Sequence, residues 1–261
     1  MAETQQALGL DIGGTGIKAA VVDVGRGELV SERVRIKTPQ PSVPEEVLKI
    51  CARLQKKLKW QGPVGCGFPG LIKDNVVTDA PNLDQSWVGH DIVQGLRSHL
   101  QQERIAVLND ADAAGVAEMT FGAGKGRKGT VVLITLGTGI GTAVFYDGVL
   151  LPFTELGHLE MYGKDAELSA SEGARIRDGL SWKKWAAHLD HYLSRLQYLL
   201  GVDLFILGGG GSKKAHKFLP HLKTVGSKVI TAEMGNLAGI VGAAMRGAES
   251  DVVRGAPGSV L

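Results

Sequence analysis

LGLDIGGTGIKAAVVD, residues 8–23, sets an apolar run on each side of the glycine-rich DIGGTGIK, Asp11–Lys18. The pattern is strand, turn, strand, so the glycines close a hairpin. It is neither a GxGxxG leading into a helix nor a GxxxxGK followed by Ser or Thr. Successive backbone N–H groups and a hydroxyl suit phosphate, and glycine removes the Cβ that would keep the backbone away. Asp11, at the end of the first strand, is placed to hold a hydrated magnesium ion. The plain structural alternative is a type I′ hairpin with a polar edge residue.

The pattern occurs twice. Aligning Gly14–Val21 with Gly137–Val144, 123 residues on, gives identity at six of eight positions. Two copies of a strand–turn–strand unit predict two similar lobes, each offering a glycine hairpin to one cleft. The expected class is therefore α/β. The first lobe is expected over 1–110 and the second over 111–250, with a terminal helix packing back on the first and a flexible tail at 251–261.

Outward from the first hairpin, residues 28–36 alternate weakly as a third strand. Pro44–Lys59 changes to helical period, with Pro44 suited to a first turn. Val64–Phe68 is a short buried strand, followed by a loop-rich stretch to Asp91 and a helix over Ile92–Leu100. Ile105–Leu108 is a strand, Ala111–Met119 a helix of small residues, and the chain becomes helical beyond Val144. Trp182–Leu200 is amphipathic, Asp203–Leu207 a strand, and Ala238–Ala248 a small-residue helix.

Composition excludes several classes. The chain has 261 residues, 44% apolar and 21% charged, as in an ordinary globular protein. Its 37 glycines cluster at turns rather than spreading as linker. A net charge of +2 argues for no particular partner. Cys51 and Cys66 are too few for a disulfide scaffold or a cysteine-rich zinc site. The N-terminus is polar, so no signal peptide is expected, and no apolar run approaches membrane-spanning length. A cytoplasmic location is expected, with no membrane and no nucleic-acid partner.

Four further stretches carry chemistry. In LNDADAAGVAE, Leu108–Glu118, a strand delivers Asn109 and Asp110 to the start of a helix. Capping accounts for such residues, with Asp112 as the structural acid; the sharper reading makes Asp110 a catalytic base, kept ionised by the helix N-terminus. In ELGH, Glu155 and His158 can both hydrogen-bond neighbouring hydroxyls of one sugar ring, the alternative being a structural or surface histidine. Asn82 and Asp84 add a loop amide and carboxylate. Gly208–Gly211, straight after the strand DLFIL, suits a nucleotide or phosphate chain, or simply a tight strand-to-helix turn.

Taken in order, DIGGTGIK, Asn109-Asp110, GTGIG and ELGH resemble the ROK sugar kinases of the actin–hexokinase superfamily, from Leu8 to about Ala248. GFPGLIKDNVV, APNLDQSWVGHD, ELGHLEM and RDGLSWKKW are similar, more closely, to the polyphosphate glucokinases, some of which also use ATP. The resemblance implies a two-lobed, ribonuclease H-like fold and phosphoryl transfer to the 6-hydroxyl of glucose with Asp110 as base. It implies sugar binding by Asn82, Asn109, Asp110, Glu155 and His158. Asp11, Gly13, Gly14, Thr15, Gly16, Lys18, Gly137, Thr138, Gly139, Gly209 and Gly210 would frame the phosphoryl donor. It also implies magnesium, held by Asp11 through water, and a homodimer.

Many ROK proteins carry a zinc-binding cysteine cluster after ELGH. No Cys follows Cys66 here, so no structural zinc is expected and His158 is free for sugar. In relatives that region also ends in a sugar-binding glutamate, for which the resemblance offers Glu167 and Glu172 as candidates. For a polyphosphate track, Lys18, Lys73, Lys125, Arg127, Lys128, Lys213, Lys214 and Lys217 are available, and the Gly-rich loop carrying Lys125, Arg127 and Lys128 ranks first.

The rivals are an ATP-only ROK kinase for another hexose or amino sugar, a sugar-responsive repressor and a filament-forming actin relative. A repressor needs a DNA-binding module ahead of Asp11, where only ten residues stand. A filament requires neither Asp110 nor ELGH.

Overall fold

The computed structural model describes residues 5–223 and 225–249. The expected tail, 251–261, lies outside the described residues. Contacts divide the chain into two compact units: one runs up to Ala117 and resumes at Leu237, the other is Glu118–Asn236.

In the first unit, β1 (Gln6–Gly13) and β2 (Gly16–Asp23) form the hairpin, with Asp11 opposite Lys18 and Gly13 opposite Gly16. The expected third strand is two short ones, β3 (Glu28–Leu29) and β4 (Val34–Ile36), both paired to β2. Helix α1 (Pro44–Lys57) starts on Pro44, with Glu45 and Glu46 in its first turn and Lys56 and Lys57 in its last, matching its dipole. It buries Val47, Leu48, Cys51 and Leu54. β5 (Val64–Phe68) lies parallel to β1. The stretch read as loop holds a hairpin, β6 (Leu71–Lys73) and β7 (Val76–Asp79), too short for periodicity to reveal. Then come α2 (Ile92–Leu100), capped by Asp91, and β8 (Ile105–Asn109), parallel to β5.

Helix α3 (Asp110–Phe121) follows without a break, and the unit boundary falls inside it. The expected division at 110 marked where that helix begins, which is not where the packing changes. The final helix, Ala238–Glu249, packs on β1 and β5 within the first unit. Gly9 and Gly65 face Ile240, Ala243 and Gly247 at a distance that leaves no room for a Cβ, so the helix lies close on the sheet.

The second unit repeats the sheet. β9 (Thr130–Leu136), β10 (Ile140–Tyr146) and β11 (Val149–Leu151) are antiparallel, and β14 (Leu204–Gly208) and β15 (Lys228–Thr231) extend β9 in parallel. Its order β11-β10-β9-β14-β15 mirrors β3-β2-β1-β5-β8. After β11 the chain is less helical than expected, because a small hairpin, β12 (Glu160–Met161) and β13 (Lys164–Asp165), precedes α4 (Glu167–Ala170) and α5 (Glu172–Arg177). Helix α6 (Trp182–Leu200) runs from a Ser181 cap to Gly201 in the left-handed region. Its Trp185, Leu189, Tyr192, Leu193 and Leu196 are fully buried in the core. Each such leucine contributes about 1.5–3 kcal/mol. A four-residue helix, α7 (Gly209–Ser212), follows β14.

Candidate active site

In the first unit, Asp11 near the end of β1 and Asp110 just past β8 both lie at the carboxyl ends of parallel strands, where ligands bind in α/β sheets. Only β5 separates those strands, so the two chain ends are roughly 10 Å apart. Lys18 Nζ donates to Asp11 Oδ2 across 2.6 Å.

The glycine turn is not of the I′ type, since neither Gly14 nor Thr15 is among the residues with positive φ. Its glycines are required by proximity instead. A Cβ on Gly14 would press on the Asn82 carbonyl, and one on Gly16 would strike the Arg35 guanidinium. Two straps that the sequence did not announce hold the turn: Thr38 Oγ1 donates to Gly13 O, and Arg35 Nη2 to Thr15 O at 3.0 Å.

Asn82 is thereby placed against the first glycine turn. Its loop is anchored by Trp87, which is fully buried, tilts on Phe68 and donates to Ser42 O at 2.9 Å. Asp84 caps the short turn between them, accepting from the Ser86 N–H and hydroxyl.

At the start of α3 the Asn109 side chain caps the helix, and Asp112, read as the structural acid, is fully buried. Asn109 Oδ1 accepts from Ala111 N at 2.8 Å and Asp112 N at 3.3 Å, while its Nδ2 donates to Gly70 O. Asp110 is half-buried and its Oδ1 accepts from Ala111 N at 2.8 Å. A carboxylate on the first N–H groups of a helix meets the positive end of the helix dipole.

In the second unit, Gly137, Thr138 and Gly139 join β9 to β10. Glu167 Oε2 accepts from Ile140 N at 3.0 Å and leaves no room for a Cβ on Gly139. Gly173 donates to Gly137 O at 2.8 Å. Glu155 precedes a single 3₁₀ turn, Leu156–His158, that ends on His158, with His158 N donating to Glu155 O. His158 Nδ1 lies 2.8 Å from Asp165 Oδ2. That bond, with the charges of Glu167, Asp165 and Glu155, holds the imidazole above the usual histidine range despite partial burial. Glu172 stands instead beside Gly210 and Gly211, and Gly209 takes φ of 78°.

Lys125, Arg127 and Lys128 are exposed on their loop. The loop hangs from Glu118, a fully buried carboxylate that sequence reasoning passed over because a glutamate on a helix reads as solvated. Glu118 accepts from Ala123 N and Glu233 N through Oε2 and from Met234 N through Oε1. Lys213, Lys214 and Lys217 are exposed after α7. Lys217 Nζ lies 5.8 Å from the Trp182 ring centroid, and Arg175 Cζ, a cation the sequence reading omitted, 3.9 Å.

Among the described residues no group of three or more His, Cys, Asp or Glu could hold a metal ion. Magnesium does not require one, because it keeps several waters and takes one or two carboxylates plus substrate phosphates. Asp11 beside the glycine turn fits that donor set.

The ROK family signature covers residues 7–171, and the chain belongs to the ROK family. Its two-lobed α/β fold is that of the ROK sugar kinases. Polyphosphate glucokinase of Mycobacterium tuberculosis (strain CDC 1551 / Oshkosh) is 43% identical over 245 residues, 94% of this chain and 92% of that protein. The structure of inorganic polyphosphate/ATP-glucomannokinase from Arthrobacter sp. strain KM matches with a TM-score of 0.89 and 47% identity, covering 95% of this chain and 99% of that one. A ROK family glucokinase from Streptomyces griseus, in complex with glucose and AMPPNP, matches with a TM-score of 0.76 and 25% identity over 92% and 98% of the two chains.

Proposed function

We propose that this chain is a glucokinase that transfers a phosphoryl group from inorganic polyphosphate to the 6-hydroxyl of glucose, with ATP as a second donor. The observation that carries this reading is 43% identity, across 94% of the chain, to a polyphosphate glucokinase. The likeness to a polyphosphate/ATP-glucomannokinase supports the second donor.

In this reading Asp110 accepts the proton of the glucose 6-hydroxyl as that oxygen bonds to the terminal phosphorus. The bridging P–O bond breaks, leaving glucose 6-phosphate and a polyphosphate shorter by one residue. Asn82, Asn109, Glu155 and His158 bind the sugar. Of the two glutamates left open by the sequence, we assign Glu167, because its charge acts on His158 whereas Glu172 lies against Gly210 and Gly211. The two glycine turns, Lys18, and Gly209 and Gly210 receive the donor phosphates. Asp11 holds magnesium through water, and that ion supplies neutralising charge on the transferred group. Most of the rate comes from positioning and electrostatics.

The protein acts in the cytoplasm as a homodimer, and the exposed Val149 and Leu151 on edge strand β11 suit a partner copy. Glucose 6-phosphate formation with magnesium and either polyphosphate or ATP, at matched phosphate concentrations, tests the reading. Turnover with polyphosphate is expected; turnover with ATP alone removes the polyphosphate donor, and silence with both removes glucose as acceptor.

A further inference from the structure

We infer that Asp165 is a positioning residue for the sugar, acting through His158. The inference rests on the proposal that His158 contacts glucose, and adds what orients it.

An ionised carboxylate can only accept a hydrogen bond. The 2.8 Å contact from Asp165 Oδ2 to His158 Nδ1 therefore puts a hydrogen on Nδ1. It leaves Nε2, on the other edge of the ring, as the nitrogen for a ligand. His158 has no second bond competing for that nitrogen among the described residues, and its side chain is 42% exposed.

The chain between the two residues is built to make this pairing. His158 ends the 3₁₀ turn, and β12 and β13 then fold back so that Asp165 returns beside it, the hairpin closed at its base by Ala166 N on Leu159 O at 2.8 Å. Tyr162 and Gly163 make the two-residue turn with φ of 57° and 74°. That geometry costs a tyrosine strain, and the surroundings hold it. Met161 and Ala166 are buried in the core, and the Tyr162 ring stacks on His191 and meets His188 edge-on, both on α6. A hairpin fixed at base, middle and tip gives Asp165 a set place.

The charges acting on His158 are all acidic: Asp165, Glu155 from before the turn and Glu167 from α4. Glu160, Tyr162 and Lys164 lie on the hairpin itself, His188 and His191 of α6 meet the Tyr162 ring, and the Asp178 carboxylate interacts with Lys164 and His188. The ring accordingly stays protonated to higher pH than a solvated histidine, and Nε2–H donates to a hydroxyl.

Three variants test this, with glucose as the probe and polyphosphate as donor. Asp165→Ala is expected to raise the KM for glucose about threefold to fivefold, the scale of an exposed ion pair, with kcat changed much less. Asp165→Asn, whose amide oxygen still accepts from Nδ1–H but carries no charge, should fall between. In both, NMR titration of the His158 ring should move to lower pH, and the glucose kcat/KM profile with it, which a merely structural role would not do. His158→Gln separates the two readings. If it leaves the glucose KM unchanged, the sugar-contact reading fails and this inference with it. If it raises KM while Asp165→Ala leaves both KM and the pH profile at wild-type values, the inference alone is overturned.

Discussion

Asp11 and Lys18 stand directly opposite each other on β1 and β2, and the Lys18 ammonium donates to Asp11 Oδ2 across 2.6 Å. One hairpin thus carries both the carboxylate suited to magnesium and a cation suited to phosphate. Lys18→Gln is expected to raise the KM for the phosphoryl donor about tenfold, the scale of a hydrogen bond to a charged group, with glucose affinity unaltered. Initial rates against polyphosphate measure it, and an unchanged donor KM would detach Lys18 from the donor.

Asp110→Asn keeps the shape of the residue and its bond to Ala111 N but removes the proton acceptor. Turnover should fall by about 10²–10⁴, the usual share of general-base catalysis, while glucose binding by calorimetry stays close to wild type. Near-normal turnover would overturn the base assignment.

Neutralising Arg127 and Lys128 together should raise the KM for long-chain polyphosphate by about threefold or more and leave that for ATP largely unchanged, because those exposed charges can follow a chain that extends past the terminal phosphate. Equal loss with both donors, or none, sinks the assignment.

Much of this architecture could be read from residues 8–23 and 130–144. An uninterrupted apolar run with a glycine turn has few alternatives to a hairpin, and α1, α2, α6, β5 and the final helix followed from period and breakers. The two small hairpins, 71–79 and 160–165, were missed because strands of two to four residues are too short to express a period. Thr38 and Arg35 were invisible because a strap is a tertiary fact: nothing local marks Thr38 as a partner of Gly13. Asn109 was read as a ligand, and its side chain also serves as the cap of α3.

Gly139→Ala should impair the enzyme without abolishing its fold. The added methyl meets the Glu167 carboxylate, which must leave Ile140 N. A rise in glucose and donor KM together, with a modest drop in Tm of about 2–4 °C for a loss near 1 kcal/mol, is the expected result. Unchanged kinetics would show that Glu167 has no part in either site.

His158 also sets a pH dependence of stability. Its folded pKa is raised by Asp165, so its contribution is full below the unfolded value of about 6.5 and is lost as pH rises through the folded pKa. His158→Gln should therefore narrow its Tm deficit relative to wild type on going from about pH 6 to about pH 8.5. A constant difference across that window would mean that the pair contributes nothing to stability.

Glu118 is the first residue of the second unit, and it holds Glu233 and Met234, two of that unit's last four residues. The segment therefore begins and ends at one clasp. A stretch of polypeptide whose ends meet can be spliced into a loop of another protein, or closed on itself by a short linker, without being stretched. Read as ancestry, the same clasp fits a duplicated half set inside its twin at a single point of insertion rather than laid end to end.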